Sequence, residues 1–190
     1  APGSFSLDKY LYSQPMLRVR DMYYVTDEHE NHLFFVKRLL FALKRHITVY
    51  SDKNGTNEVM KIMQDTVFMI LYKKFTLMDP AGNVIGRFKR HNLISILRRK
   101  WDILSAEGDP VAQVIEDSWF KALFRRFGPL GEALKTDFVF LSGDGEIGRF
   151  IRKWTIRDRC VLDMSADSGK KIDRRLAVAM GVLLDTEEER

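Results

Sequence analysis

The stretch Gly143-Asp144-Gly145-Glu146-Ile147-Gly148 has the GxGxxG spacing of a dinucleotide-binding loop. That chemistry needs the loop to open a helix, whose N-terminal amides hold the pyrophosphate. Here the residues that follow, Arg149 to Trp154, read as a strand, so the glycines read as a hairpin turn. Asp27-Glu28-His29-Glu30-Asn31-His32 is dense in metal-capable side chains. A zinc protease sets two His four apart on a helix, one turn from each other. These two are three apart in a polar turn, which fits a solvated hairpin with at most adventitious metal binding. His46 and His91 each stand near basic residues with no nucleophile close in sequence. Triad partners can be distant in sequence, so a dispersed site stays open. Cys160 lies in an apolar run with Val161 and Leu162 and is expected to be a buried, inert thiol; Arg157 and Arg159 would lower its pKa if it were exposed. With no P-loop or paired-carboxylate signal, the expectation is a protein that is not an enzyme, with no cofactor and no metal.

The basic clusters are the stronger signal. They are Arg87-Lys89-Arg90-His91, Arg98-Arg99-Lys100-Trp101, Lys121-Arg125-Arg126, Arg149-Arg152-Lys153-Trp154 and Lys170-Lys171. Lys and Arg total 31 against 26 Asp and Glu, a formal net charge of +5, which suits an anionic partner. Interleaved Trp and cations suit a membrane interface, where an indole sits at headgroup level and cations meet anionic lipid. The competing reading is ordinary solvated strand ends. The residues nominated for lipid contact are Arg98, Arg99, Lys100, Trp119, Lys121, Arg125, Arg126, Lys170 and Lys171. Two other partner classes stay in play. One is another protein, docking on the aromatic segment. The other is nucleic acid on the same basic surface, although no recognition-helix or RNA-binding signature is present.

These residues must be positioned by a fold, and 190 residues make one domain able to bury a full core unaided. One pattern recurs: an apolar or aromatic stretch, a polar turn rich in Asp, Gly and Asn, then a second alternating stretch ending in basic residues. The copies centre on Asp27–Asn31, Asp52–Gly55, Asp79–Asn83, Ser105–Asp109 and Ser142–Gly145. Each reads as a hairpin, because Gly and Asn tolerate positive φ and Asp bonds its own backbone. A strand at Leu17 to Arg20 in front and one at Arg159 to Met164 behind bring the count to eleven or twelve, enough for the sheet to close. Ser118 to Phe127 reads as a helix with Trp119, Phe120, Leu123, Phe124 and Phe127 on one face, either a lid on the barrel end or a membrane contact. A second helix starts at Asp173, its N-cap, and is apolar all round from Leu176 to Leu184, so it must be surrounded by protein. Those nine residues rise about 13.5 Å, too little to span a bilayer. The tail from Asp185 to Arg190 is expected in solvent and residues 1–9 as a flexible lead. The fold class is therefore mainly β: a closed antiparallel barrel of about twelve strands around a buried C-terminal helix.

This organisation resembles the Tubby C-terminal-like superfamily, in the branch of LURP-one-related and phospholipid scramblase-like proteins. The residues that carry the resemblance are the repeated hairpins, such as Phe75 to Arg90, and the ending Val161-Leu162-Asp163-Met164 followed by Asp173-Arg174-Arg175-Leu176-Ala177-Val178-Ala179. It runs from about Tyr10 to Asp185. It implies the barrel with a hydrophobic central helix, and it implies membrane-related work, since tubby proteins bind phosphoinositides and scramblases act at membranes. Scramblases also carry an acidic calcium segment before the terminal helix. Here Asp163, Ser165 and Asp167 take the first three alternate positions, but Gly169 comes one place late and Arg174 stands where a bidentate Glu is required. The function expected is a non-enzymatic module that binds anionic phospholipid or phosphoinositide headgroups. The single Cys and the absence of a basic-then-apolar leader suggest a cytoplasmic, peripheral location.

Overall fold

A computed structural model describes residues 2–13, 22–39, 45–65, 72–91, 99–117, 137–143, 145–153 and 159–187. Twelve antiparallel strands close into a barrel: β1 (Lys9–Ser13), β2 (Met22–Thr26), β3 (His32–Leu39), β4 (His46–Tyr50), β5 (Glu58–Gln64), β6 (Tyr72–Met78), β7 (Val84–His91), β8 (Lys100–Ser105), β9 (Pro110–Glu116), β10 (Phe138–Ser142), β11 (Gly145–Lys153) and β12 (Arg159–Asp163). Neighbours in sequence are neighbours in the sheet, and β1 pairs with β12 to close it, Lys9 opposite Asp163 and Ser13 opposite Arg159. The helix α1 (Arg174–Glu187) fills the interior.

Period-two alternation decides which side chains meet that helix. Ile47 and Val49, Met60 and Ile62, Phe75 and Leu77, and Phe138 and Phe140 all point inward and are buried. The wall must also leave room for the helix. A Cβ at Gly86 would lie 2.5 Å from Leu176 Cδ2 and 2.7 Å from the Leu104 carbonyl, so only glycine fits there.

All five hairpins form where the turn chemistry placed them. Three share one device. Asp27 Oδ1 accepts the N–H of His29 (2.9 Å) and of Asn31 (2.8 Å), while Oδ2 accepts the Asn31 amide (2.8 Å). Asp79 does the same with Asn83, backbone and side chain both at 2.8 Å. Asp52 accepts from Asn57 N at 2.6 Å and Asn54 N at 3.1 Å. The side chain thus satisfies turn amides that the ladder cannot reach. These bonds hold all three carboxyls below their ordinary value, chiefly through the Asn31 side chain for Asp27, the Asn57 amide for Asp52 and the Asn83 side chain for Asp79. A carboxyl depressed in the folded state stabilises above its unfolded pKa of 3.8, and that contribution disappears as pH falls through the folded value. NMR titration is expected to give all three midpoints below 3.8, and barrel stability is expected to fall as the pH drops through that range. A midpoint at or above 3.8 for any of them would sink that account.

Four expectations change or fall elsewhere. The first strand is Lys9–Ser13, whereas Leu17 to Arg20 lie outside the described residues. The lead read as flexible holds a 3-10 turn at Pro2–Phe5, and the Phe5 ring stacks on Phe34 at 4.7 Å. The tail does not begin at Asp185. Asp185 and Thr186 are buried, and the Glu187 carboxylate, 1% exposed, pairs with Arg45 and with Lys73 (3.1 Å). Its charge is tolerated there because two strand-end cations reach it at the helix C-terminus, where the dipole alone would favour a cation. Finally, the segment read as a helix at 118–127 lies outside the described residues.

Because the strands alternate in direction, the connections after β2, β4, β6, β8 and β10 gather at one end, the turn end. Those after β1, β3, β5, β7, β9 and β11 gather at the other, the collar end. The N-terminus of α1 faces the turn end, where Leu176 lies against Gly86, and its C-terminus faces the collar end, where Glu187 meets Arg45 and Lys73.

Candidate functional site

The chemistry-bearing residues on the outer wall collect on β6, β7 and β8. Register sets Tyr72 opposite His91 and His91 opposite Lys100, in the row nearest the collar end; Lys74 faces Lys89, and Lys89 faces Asp102, in the next row. Two lysines directly opposite each other repel, and such pairs are disfavoured. Here both ammonium groups lie over one ring, Lys74 Nζ 5.2 Å and Lys89 Nζ 4.8 Å from the Tyr72 centroid. The negative π face offsets part of the repulsion. Among the described residues, Lys74, Lys89 and Lys100 have no carboxylate within 4.0 Å. Beside them His91 Nε2 lies 2.6 Å from Asp102 Oδ2, so His91 has a carboxylate partner the sequence did not reveal.

Of the residues nominated from sequence, Lys100 opens β8 in this patch, with Arg99 just before it and 3.9 Å from Glu116. Lys170 and Lys171 are exposed at the turn end, the opposite end of the barrel. Arg98, Trp119, Lys121, Arg125 and Arg126 lie outside the described residues; the strands they join, β7 to β8 and β9 to β10, meet at the collar end. Trp101 corrects the reading of that cluster as interleaved aromatic and base. Alternation turns Trp101 inward and Lys100 and Asp102 outward, so the indole is fully buried, 5.8 Å from the Phe75 ring, with the Arg90 guanidinium 5.9 Å from it. Lys74 and Tyr72 escaped the sequence reading because Lys89, the second cation over the Tyr72 ring and the residue opposite Lys74, lies on the neighbouring strand.

The other motifs have structural work. Gly143 sits in the β10–β11 turn with φ 58°, and β11 follows it, as the hairpin reading expected. Cys160 is buried, and its thiol donates to Asp185 Oδ1 at 3.4 Å. In the segment compared with the scramblase calcium site, Asp167 is occupied: Oδ2 accepts from Arg174 at 2.7 Å, and its oxygens also accept from the amides of Lys171 (2.8 Å) and Ile172 (3.3 Å). A cleft of about 340 Å³ opens on the outer face of β1 and β2, toward the turn end, lined by Tyr24, His32, Glu30 and Lys53 among others. Burial first, and Lys53 second, lower the His32 pKa.

A closed twelve-stranded barrel around a C-terminal helix defines the structural class. The chain belongs to the LURP-one-related family, whose model matches residues 32–185. Among solved structures it is similar to the X-ray structure of a protein from Arabidopsis thaliana, with a TM-score of 0.60 and 18% identity over 100% of this chain and 97% of that one, a likeness of fold. No curated protein matches the sequence. No helix among the described residues is long and apolar enough to cross a membrane.

Proposed function

We propose that the protein is a non-enzymatic, peripheral module that binds anionic phospholipid or phosphoinositide headgroups through its collar end. The observation that carries this reading is the trio Lys74, Lys89 and Lys100, three cations near one barrel end with no carboxylate partner among the described residues. Keeping like charges across adjacent strands is costly without an anion to receive them. Phosphate oxygens are suitable acceptors for such ammonium groups. Arg99, just before Lys100, extends this basic surface, and Arg98, Trp119, Lys121, Arg125 and Arg126 stay nominated for lipid contact from sequence alone. Lys170 and Lys171, at the other end, do not take part.

Each Lys or Arg near an anionic surface contributes roughly 1 kcal/mol, so the three lysines together account for about a hundredfold in affinity. The test is sedimentation with vesicles of phosphatidylcholine alone, with phosphatidylserine, and with a phosphoinositide, each at low and moderate salt. Selective binding to the anionic vesicles, weakened by salt and reduced about a hundredfold in Lys74→Gln/Lys89→Gln/Lys100→Gln, is the expected result. Equal binding to all vesicles, or none, would remove the reading. A gel shift with RNA and DNA that exceeded vesicle binding would reassign the surface to nucleic acid.

A further inference from the structure

We infer that the barrel meets an anionic bilayer end-on, with the collar end in the interface and the turn end in water. This orientation rests on the lipid reading above and adds an apolar contact to it.

The two ends of the barrel differ in chemistry. Each of the five hairpin turns at the turn end, residues 27–31, 51–57, 79–83, 106–109 and 143–144, contains Asp or Glu; Lys53 is their only Lys or Arg, and they hold no Leu, Ile, Val, Met or Phe. Lys170 and Lys171 are also exposed at this end, but the acidic residues of the turns outnumber these two and Lys53 together, and an anionic surface repels an end of that net charge. The collar end has the reverse character. Glu187, the carboxylate that reaches it on α1, is neutralised by Arg45 and Lys73; Asp102, Glu116 and Asp117 lie against His91, Arg99 and Arg149, Asp65 and Asp137 accept from the Thr76 hydroxyl and the Arg152 amide, and Lys74, Lys89 and Lys100 add positive charge with no carboxylate within 4.0 Å among the described residues.

The collar end also carries apolar surface. Leu39 is 56% and Met63 36% exposed, the exposed large hydrophobic side chains among the described residues. They flank His46, which pairs in register with Leu39 on β3 and with Met63 on β5, so the two lie on one outer patch beside the collar. Cations on β6 to β8 and exposed apolar side chains on β3 and β5, all toward one barrel end, match a bilayer interface, where headgroup phosphates meet the first acyl carbons. A headgroup site alone needs no exposed leucine.

Single cysteines at Leu39, Met63 and Asn54, each carrying an environment-sensitive fluorophore, test the orientation. The native Cys160 is buried, and a Cys160→Ser background removes any residual labelling. Asn54 lies in an exposed turn at the turn end and serves as the control. On phosphatidylserine vesicles containing a bilayer-resident quencher, the labels at 39 and 63 are expected to shift to the blue and lose at least half their emission, while the label at 54 is unchanged. A second variant, Leu39→Asp/Met63→Asp, is expected to bind at least tenfold more weakly with unaltered thermal unfolding. Binding with the label at 54 quenched, or with none quenched, would overturn the end-on orientation and leave the lipid reading standing. Failure of the unlabelled protein to bind any anionic vesicle would overturn both.

Discussion

Replacing Arg174 with Met is expected to lower stability by about 3–5 kcal/mol at neutral pH, the usual consequence of removing one partner from a buried ion pair. Arg174 is 4% exposed and occupies the first turn of α1, where the dipole disfavours a cation. It is held there by anions and carbonyls: Nη1 donates to Asp167 Oδ2 at 2.7 Å, Nη2 to Asp8 Oδ1 at 2.9 Å and Nε to the Leu7 carbonyl at 3.2 Å. The fork ties three segments together, the lead into β1, the loop after β12 and the helix. The Asp167 side chain is 0% exposed, so Met at 174 would leave a buried carboxylate without its cation. Lys could not replace the fork, because a single ammonium cannot reach these diverging acceptors.

The pH dependence separates this account from simple loss of packing. Burial raises the Asp167 pKa, but the Arg174 guanidinium and the amides of Lys171 and Ile172 more than offset it, and the net shift is downward. In the native protein Asp167 therefore stabilises above the ordinary carboxylate pKa and loses that contribution as pH falls through its depressed value. Without Arg174 only the amides of Lys171 and Ile172 oppose burial, so the Asp167 pKa is expected to rise and the variant to recover as acid protonates it. Denaturant unfolding at pH 7 and pH 4 is expected to show the deficit shrinking, and Asp167→Asn in the Arg174→Met background to restore part of it at pH 7. A deficit that is the same at both pH values, or smaller than about 1 kcal/mol, would mean the pair does not anchor the helix.

The second large effect is expected at Gly181, in the middle of α1. Helix propensity alone favours Ala there by about 1 kcal/mol. Packing predicts the opposite sign. A Cβ at 181 would lie 2.7 Å from Tyr12 Cζ and closer still to its oxygen, while that hydroxyl donates to the Val178 carbonyl at 3.0 Å. Tyr23 makes a similar bond to Val182, at 3.3 Å. These tyrosines touch the helix backbone, so glycine is what lets β1 approach it. Gly181→Ala is expected to destabilise by about 1–3 kcal/mol, and Gly181→Val by more. In a Tyr12→Val background the Ala substitution is expected to cost nothing or to stabilise, since the clash is gone. A higher melting temperature for Gly181→Ala in the native background would refute the packing argument.

Much of the barrel was legible because its hairpins are local. Asp27, Asp52 and Asp79 announce turns that their own side chains then build, and the alternation around them assigns Phe75, Leu77, Cys160 and Leu162 to the interior. The terminal helix was legible for a similar reason, since Asp173 caps it through the Arg175 amide at 2.8 Å and its apolar surface runs all round. β1 was missed although Tyr10 and Tyr12 alternate with less buried neighbours, because Tyr reads as readily outward as inward. Trp101 was misjudged because its basic neighbours in sequence lie on the other face of the strand.

By itself, then, the sequence determined what local chemistry controls: five turns, the alternation of the strands, one helix too apolar for solvent, and a basic surplus. Tertiary structure alone decided which charges are already used. It sent Arg174 and Glu187 to opposite ends of the barrel, each against charges from distant segments, and it stacked Lys74 and Lys89 over Tyr72. It also separated Lys100 from Lys171, which composition had treated alike. The physical reason is closure: an antiparallel barrel collects alternate connections at alternate ends, so residues far apart in sequence share one end and others close in sequence do not.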